Sequence, residues 1–440
     1  MKGRKMPYVK GLITVIVPTL NCAMSIDRCV ESILNQTWKE LEVVCVDACS
    51  TDGTKELLQK YEEKDKRVKV IVSDRKSYGY QMNLGISCAS GEYIGIVESD
   101  DEVEPDMYEQ LYSAAILYTP DMVRSDYCET YIGENGVREK RLVPILHDKS
   151  QYDKCIGAED NVHCLNPDAI ATWSGLYRRD FLIQKGIVYN DTEGASFQDI
   201  DFWAQTNFFA QKSVYINAAS YLYRIDNPDS STFQKNKAFC ISDEFRYVME
   251  KLAPYKTTDK AGMSERICWI FYRKYKRNLE RVSEELLKDF YIRFAEDFRL
   301  WKARFDLRYL YFYEEERSEL ENIMSDPCLY LEKILETRSD FIEGLKKIDR
   351  LAIYGAGRVG KKLASKVGNR VAFFAGSNIG DSREIMGIPI VDIHGICEAD
   401  KAILLVVATK RADFRSEMLE TATASGFQNV VAIPYGAFEW

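Results

Sequence analysis

Apolar residues over the first hundred positions alternate between short unbroken runs and stripes spaced three and four apart. That rhythm predicts parallel βαβ units in a doubly wound α/β sheet. Residues 13–17, 41–46 and 68–72 read as buried strands, and between the first two Ile26, Cys29, Val30, Ile33 and Leu34 mark one helix face. Ser50-Thr51-Asp52-Gly53-Thr54 starts the next helix, with Asp52 as its N-cap. A further helix over residues 81–89 leads through Ser90-Gly91 into a strand, Tyr93-Ile94-Gly95-Ile96-Val97, that runs straight into Glu98-Ser99-Asp100-Asp101.

Farther on the rhythm changes twice. Past Tyr221-Leu222-Tyr223-Arg224 and the loop Asn227-Pro228-Asp229-Ser230-Ser231-Thr232 the alternation stops, which puts the end of a first domain near residue 235. In the helical region that follows, Phe290, Phe294, Phe298, Trp301 and Phe305 form one apolar face, with Arg293, Arg299, Lys302, Arg304 and Arg308 around it. The stripe is either an aromatic core or an interfacial helix that brings the chain to anionic lipid, and residues 267–272 before Arg273-Lys274-Tyr275-Lys276-Arg277 pose the same choice. From about residue 346 strand and helix alternate again: residues 351–354, then Gly355-Ala356-Gly357-Arg358-Val359-Gly360 opening a helix through Lys366, then strands at 371–375, 387–391 and 402–408. The expected domains are therefore 1–235, 236–345 and 346–440.

Composition narrows the classes. A chain of 440 residues, 46% hydrophobic and 29% charged, is an ordinary globular protein of about three domains. The net charge of −9 opposes general nucleic-acid binding, which needs a basic footprint to displace phosphate counterions. Twelve cysteines without a CxxC pair, beside three histidines, suggest neither a zinc site nor a disulfide framework, and predict reduced thiols in a cytoplasmic protein. No apolar run approaches the roughly 18 residues of a membrane span. Lys2, Arg4, Lys5 and Lys10 before the run at residues 12–17 imitate a signal peptide, but the run is short, Pro18 ends it and no small-x-small site follows. A soluble protein, or one peripheral on the inner face of a membrane, is expected.

Ligands of open α/β sheets gather outside the carboxyl ends of the strands. Mg²⁺ and Mn²⁺ prefer one or two carboxylates plus phosphate oxygens, so Asp100 and Asp101 imply a phosphate-bearing substrate. Taken alone, the same acids could be turn or N-cap residues. Their company is specific: Pro18-Thr19-Leu20-Asn21, Ser32-Ile33-Leu34-Asn35-Gln36-Thr37, Val46-Asp47-Ala48-Cys49-Ser50-Thr51-Asp52-Gly53-Thr54, Asn83-Leu84-Gly85-Ile86, Ala89-Ser90-Gly91-Glu92-Tyr93, Gly175-Leu176-Tyr177-Arg178-Arg179 and Gln198-Asp199-Ile200-Asp201-Phe202-Trp203. In this order and spacing, the first half of the chain resembles a family 2 glycosyltransferase of the GT-A fold.

The resemblance implies an inverting, metal-dependent transfer of a hexose or N-acetylhexosamine from a nucleotide sugar to a hydroxyl of a surface-polysaccharide or lipid-linked saccharide acceptor. Pro18, Thr19, Asn21 and Asp47 would hold the nucleotide, and an Asp47 carboxylate accepting the imide N–H of uracil favours a UDP-sugar. Ala48 stands where similar enzymes carry a second acid, which keeps other nucleotides open. Asp101 would bind Mg²⁺ or Mn²⁺, Asp100 the ribose or a metal-bound water, and Glu98 an outer position. Asp199 is the general base that the resemblance implies, with Asp201 the alternative; residues two apart on a helix point about 200° apart, so the two cannot both face the donor. Trp173 is the expected sugar-stacking platform on the acceptor side. Arg178-Arg179 could attract an acceptor phosphate or form a solvated pair. The arginine often seen in the segment Tyr78-Gly79-Tyr80-Gln81-Met82-Asn83 is missing.

Gly355, Gly357 and Gly360 form a Rossmann fingerprint, whose glycines let phosphate approach a helix N-terminus. The next strand ends in Gly376-Ser377-Asn378 without the acid expected on a ribose hydroxyl. This tail resembles the Rossmann-type domain attached to some sugar-modifying proteins, where a structural or nucleotide-sensing role is implied. Two competing readings are a dinucleotide-dependent oxidoreductase centred on the tail and a noncatalytic nucleotide-sugar-binding protein.

Overall fold

A computed structural model describes residues 8–133, 136–227, 237–259, 262–377 and 384–438. Lys2, Arg4, Lys5, the loop at 228–232, the boundary near 235 and Asn378 lie outside the described residues. The chain divides into two compact units, Met1–Phe271 and Tyr272–Trp440.

The first unit opens with the expected alternation: β1 (Val9–Thr19), α1 (Ile26–Leu34), β2 (Leu41–Asp47), α2 (Thr54–Lys64), β3 (Val68–Val72), α3 (Tyr78–Cys88) and β4 (Gly91–Ile96). These four strands are parallel, and β2 is buried along its whole length, as its Val- and Leu-rich run requires. Gly53, with φ +98°, occupies the N-cap of α2; Asp52, one position earlier, accepts from the Thr54 N–H at 3.1 Å instead. There follow β5 (Glu102–Val103), α4 (Met107–Tyr118), β6 (Met122–Ile132), β7 (Arg138–Val143), β8 (Cys155–Gly157), α5 (Ala158–Cys164), β9 (Gly175–Arg178), α6 (Arg179–Lys185), α7 (Gln198–Phe209), β10 (Lys212–Arg224) and α8 (Cys240–Leu252). Among the described residues one sheet runs in the order β3-β2-β1-β4-β9-β6-β10-β5, with β7 on β6 and β8 on β10. Antiparallel β9 joins the parallel half to the pair β6 and β10.

Helix α9 (Met263–Asn278) precedes α10 (Leu287–Phe305), α11 (Glu314–Ser325) and α12 (Pro327–Leu345). Phe290, Phe294, Phe298 and Trp301 are buried, and Phe294 packs on Tyr272, Tyr275 and Phe298. The stripe is thus core rather than a lipid-facing surface, and Ile267 through Tyr272 are buried as well. Among the described residues no helix is long and apolar enough to cross a membrane. The twelve cysteines are free thiols.

The chain ends with β11 (Leu351–Tyr354), α13 (Arg358–Val367), β12 (Val371–Gly376), β13 (Glu384–Ile385), β14 (Ile388–Asp392), β15 (Leu404–Val407), α14 (Ala412–Ala424) and β16 (Val430–Ala432). The sheet order is β13-β14-β12-β11-β15-β16, parallel except for the edge strand β13. Alternate residues of β11 feed two cores: Leu351 and Ile353 pack with Leu363 and Val367 of α13, Ala352 and Tyr354 with Ala422 of α14 and Phe427. Both faces of this small sheet are covered.

Candidate active site

The carboxyl ends of β1, β2 and β4 form the first part of the site. Thr19 and Asp47 are register partners at the last positions of their strands, and both are buried. Asp47 Oδ2 accepts from the Ser50 N–H at 3.0 Å, and Oδ1 takes the Ser50 hydroxyl, so this acid also shapes the turn after β2. Pro18, buried beside Val46, needs no ladder hydrogen bond through its nitrogen. Asn21 holds φ +51°; its Oδ1 accepts from Thr51 N–H and its own N–H donates to Ser50 Oγ, each at 2.9 Å. The Gln81 amide of α3 donates to Thr19 O at 2.9 Å and Val46 O at 2.6 Å, pinning the two strand ends together.

Strand β4 stops at Ile96, earlier than the run of apolar residues suggests, and the acids occupy a turn closed by Asp101 N–H donating to Glu98 O at 3.0 Å. Asp101 is 1% exposed. Its Oδ2 accepts from the Tyr221 hydroxyl and its Oδ1 from the Arg224 N–H, both at 2.7 Å. Burial and neighbouring Asp100 push its pKa well above the carboxylate range. Glu98 accepts from the Tyr78 hydroxyl at 2.7 Å, and burial, with repulsion from Asp100 and Asp199, raises it to about 8. Asp100 is half-buried and accepts from Asn227 Nδ2 at 2.7 Å.

Asp199 lies in the first turn of α7, half-buried, close enough to Glu98 to contribute to its raised pKa. Phe197 before it takes the left-handed conformation at φ +69°. Asp201, fully buried, points elsewhere: its Oδ2 accepts from the Asn190 N–H at 2.6 Å, and it pairs with Glu244 of α8. Burial and Glu244 hold Asp201 far above its ordinary pKa, and burial raises Glu244 to about 7, so the pair retains a proton. The loop before α7 is moored to α3. Asn83 exchanges two hydrogen bonds with Tyr189, both at 2.8 Å, and a methyl group at Gly79 would lie 1.7 Å from Asn190 O.

Trp173 is 7% exposed, with its indole stacked on Tyr221 at 4.0 Å and Tyr223 at 5.2 Å between ring centroids. The face expected to meet a sugar is packed against these tyrosines, and Trp173 supports the ring that holds Asp101. Arg178 is ion-paired with Asp121, and Arg179 is buried. Among the described residues no group of three or more His, Cys, Asp or Glu side chains gathers as a metal site. Asp100 and Asp101 supply the oxygen donors that a hard cation prefers; Asp100 is half-buried, whereas Asp101 is buried with its oxygens held by Tyr221 and Arg224.

In the second unit Gly355 turns the chain at φ +112°, Gly357 precedes α13, and a methyl group at Gly360 would lie 1.9 Å from Gly355 O. These glycines bring helix and turn into the close approach expected of the fingerprint.

Sequence reasoning missed Tyr78, Gln81 and Tyr221. Asn83 belongs to a motif legible in the sequence, but Tyr78 and Gln81 do not, and they tie the acidic turn and the strand ends to α3. The one available signal for Tyr221 was its place in an alternating aromatic strand.

Residues 14–179 match the family model described as Glycosyl transferase family 2. The E. coli strain K12 glycosyltransferase YibD is 28% identical over 229 residues, 51% of this chain and 64% of YibD. Glycosyltransferase GlyG of Streptococcus pneumoniae serotype 4 is 32% identical over 221 residues, 48% of this chain and 70% of GlyG. The chain thus spans under two thirds of the length of some of its relatives, YibD among them. S. aureus TarS 1–349 in complex with UDP-GlcNAc superposes with a TM-score of 0.58 at 18% identity, covering 72% of this chain and 89% of TarS 1–349, which speaks for a shared fold.

Proposed function

Because the chain belongs to glycosyl transferase family 2 and has the GT-A fold, we propose that it transfers a hexose or N-acetylhexosamine, with inversion, from a UDP-linked sugar to a saccharide hydroxyl on a surface polysaccharide or lipid-linked acceptor. The reading assigns catalysis to residues 1–235 and treats 236–345 and 346–440 as attached helical and Rossmann-like parts. What supports it is the tie between α3 and the acidic turn, where Tyr78 donates to Glu98, with Asp199 of α7 within electrostatic reach of both. UDP is favoured by Asp47 beside Thr19, and by the UDP-GlcNAc that TarS holds on the same fold.

In this mechanism Thr19, Asn21 and Asp47 seat the nucleotide. Asp100 and Asp101 would hold Mg²⁺ or Mn²⁺, which when bound supplies charge for the departing diphosphate. Asp199 takes the proton of the acceptor hydroxyl as its oxygen attacks the anomeric carbon opposite the diphosphate; the carbon–oxygen bond to diphosphate breaks, and the nucleoside diphosphate leaves with the electron pair. Trp173 and Tyr223 back the Tyr221 ring, and through it the position of Asp101.

Incubating the protein with UDP-, dTDP- and GDP-sugars and Mn²⁺ and measuring release of nucleoside diphosphate tests the proposal. Turnover of a UDP-sugar that falls about 10²–10⁴-fold in Asp199→Asn is expected; donor binding without turnover for every sugar, with or without added saccharide acceptors, would make the chain a binding protein.

A further inference from the structure

Asp199 rides on the first turn of α7, and the segment that delivers it, residues 190–197, has no regular structure beyond one bridge between Gly194 and Ser77. Such a segment keeps one shape only where its polar groups find partners outside any ladder. Here they do, at nearly every second residue. The Asn190 N–H donates to Asp201 Oδ2 at 2.6 Å, and the Thr192 hydroxyl donates to Glu244 Oε1 at 2.9 Å. The Gly194 N–H donates to Lys76 O at 2.7 Å, its carbonyl accepts from the Tyr78 N–H at 2.9 Å, and the Lys237 ammonium donates to Ala195 O.

Gln198 gathers these ties. It is 2% exposed, and both ends of its amide are used. Nε2 donates to Thr192 Oγ1 at 2.9 Å and to Gly194 O at 3.4 Å, while Oε1 accepts from the Ser196 N–H at 2.5 Å. The last bond closes a short ring around Phe197, whose own carbonyl accepts from the Ile200 N–H at 3.0 Å. Inside that ring Phe197 takes φ +69° and ψ 3°. Glycine or asparagine would enter this left-handed region at little cost, whereas a bulky residue there is an outlier. Strain of this kind persists where the surroundings over-determine it, and it gathers at functional sites. Asp199 comes directly after the clamp, with its Oδ1 accepting from the Ile200 N–H at 3.0 Å.

We propose, resting on the transfer reading, that Gln198 and Phe197 are positioning residues for the base. The buried amide locks the turn in which Phe197 is left-handed, and that turn fixes where the Asp199 carboxylate meets the acceptor hydroxyl. What the base needs from Phe197 is its backbone conformation rather than its ring. A catalytic group displaced by about 1 Å can lose about 10²-fold in rate. The donor is seated elsewhere, by Thr19, Asn21 and Asp47, so loosening the turn should act on kcat and spare donor binding.

Steady-state kinetics of the full chain in Mn²⁺, with the UDP-, dTDP- or GDP-sugar that it turns over, and calorimetric titration with the matching nucleoside diphosphate test this through three variants. Gln198→Met fills the same buried space without the hydrogen bonds, and its kcat should fall about tenfold or more while donor KM and nucleoside diphosphate affinity stay within about threefold. Phe197→Val sets a β-branched residue at a positive φ and should show the same split. Phe197→Asn suits the left-handed region, so it should keep about ten times the kcat of Phe197→Val or more although it too lacks the ring. Where Gln198→Met does not fold, the two Phe197 variants decide. A lowered Tm with wild-type kcat in Gln198→Met and Phe197→Val would make the clamp purely structural and overturn the proposal. So would a kcat of Phe197→Asn as low as that of Phe197→Val, which would assign the loss to the missing ring. A wild type that turns over no nucleotide sugar would overturn the transfer reading, and the positioning roles with it.

Discussion

The phenolic oxygen of Tyr221 donates to Asp101 Oδ2 at 2.7 Å and accepts from the Glu98 N–H at 3.0 Å. One hydroxyl thus fixes both ends of the acidic turn. Tyr221→Phe keeps the ring against Trp173 but leaves the Asp101 carboxylate held by the Arg224 N–H without its second anchor. A hydrogen bond to a charged group contributes roughly 1.5–3 kcal/mol, so the Mn²⁺ concentration for half-maximal activity should rise about tenfold or more. Titration of donor turnover with Mn²⁺ measures this, and an unchanged curve would reduce Tyr221 to a packing residue.

Asp199→Asn should lower kcat by about 10²–10⁴, the usual worth of a general base, with little change in donor KM. Asp201→Asn should keep most activity, because Asp201 is fully buried and its Oδ2 is taken by the Asn190 N–H. Steady-state kinetics of the two variants separate the acids; equal losses would contradict the assignment.

Truncating Trp173 to Ala should cost about 3–5 kcal/mol of stability, as for other buried aromatic residues, since its indole fills the space beside Tyr221 and Tyr223. Denaturant unfolding reads the loss. A variant of native stability with an acceptor KM raised many-fold would instead restore the sugar-stacking role.

Burial raises Glu244 to about 7, and Asp201 beside it shifts the same way. The fold therefore prefers the protonated pair: this contribution is complete below the ordinary glutamate pKa of about 4.5 and is lost as pH rises through about 7. Glu244→Gln removes the ionisation while retaining an acceptor for the Thr192 hydroxyl, which donates at 2.9 Å. Melting curves from pH 5 to 8 should fall more steeply for the wild type, leaving the variant the more stable at pH 8. Parallel profiles would show that the pair carries no proton.

The parallel halves of both sheets were readable in the chain because strands buried on both faces are continuous apolar runs and their turns are built from neighbours in sequence. Residues 122–168 were not, since β7 reads Arg138-Glu139-Lys140-Arg141-Leu142-Val143 and most of its side chains face solvent at an edge of the sheet. The opposed directions of Asp199 and Asp201 follow from helix geometry alone. What covers Trp173 does not, because Tyr221 and Tyr223 reach it only through the strand order β9-β6-β10. Glu98 was legible as an acid of the turn, but its tie to Tyr78 depends on where α3 docks.

Within two turns, α3 offers Tyr78 to the acidic turn, Gln81 to the ends of β1 and β2, and Asn83 to the loop before α7. These three attachments make the donor half behave as a single stiff jaw: tilting the helix would disturb nucleotide, leaving group and base together. On the proposed mechanism, a substitution that loosens α3 should therefore blunt every step of turnover at once.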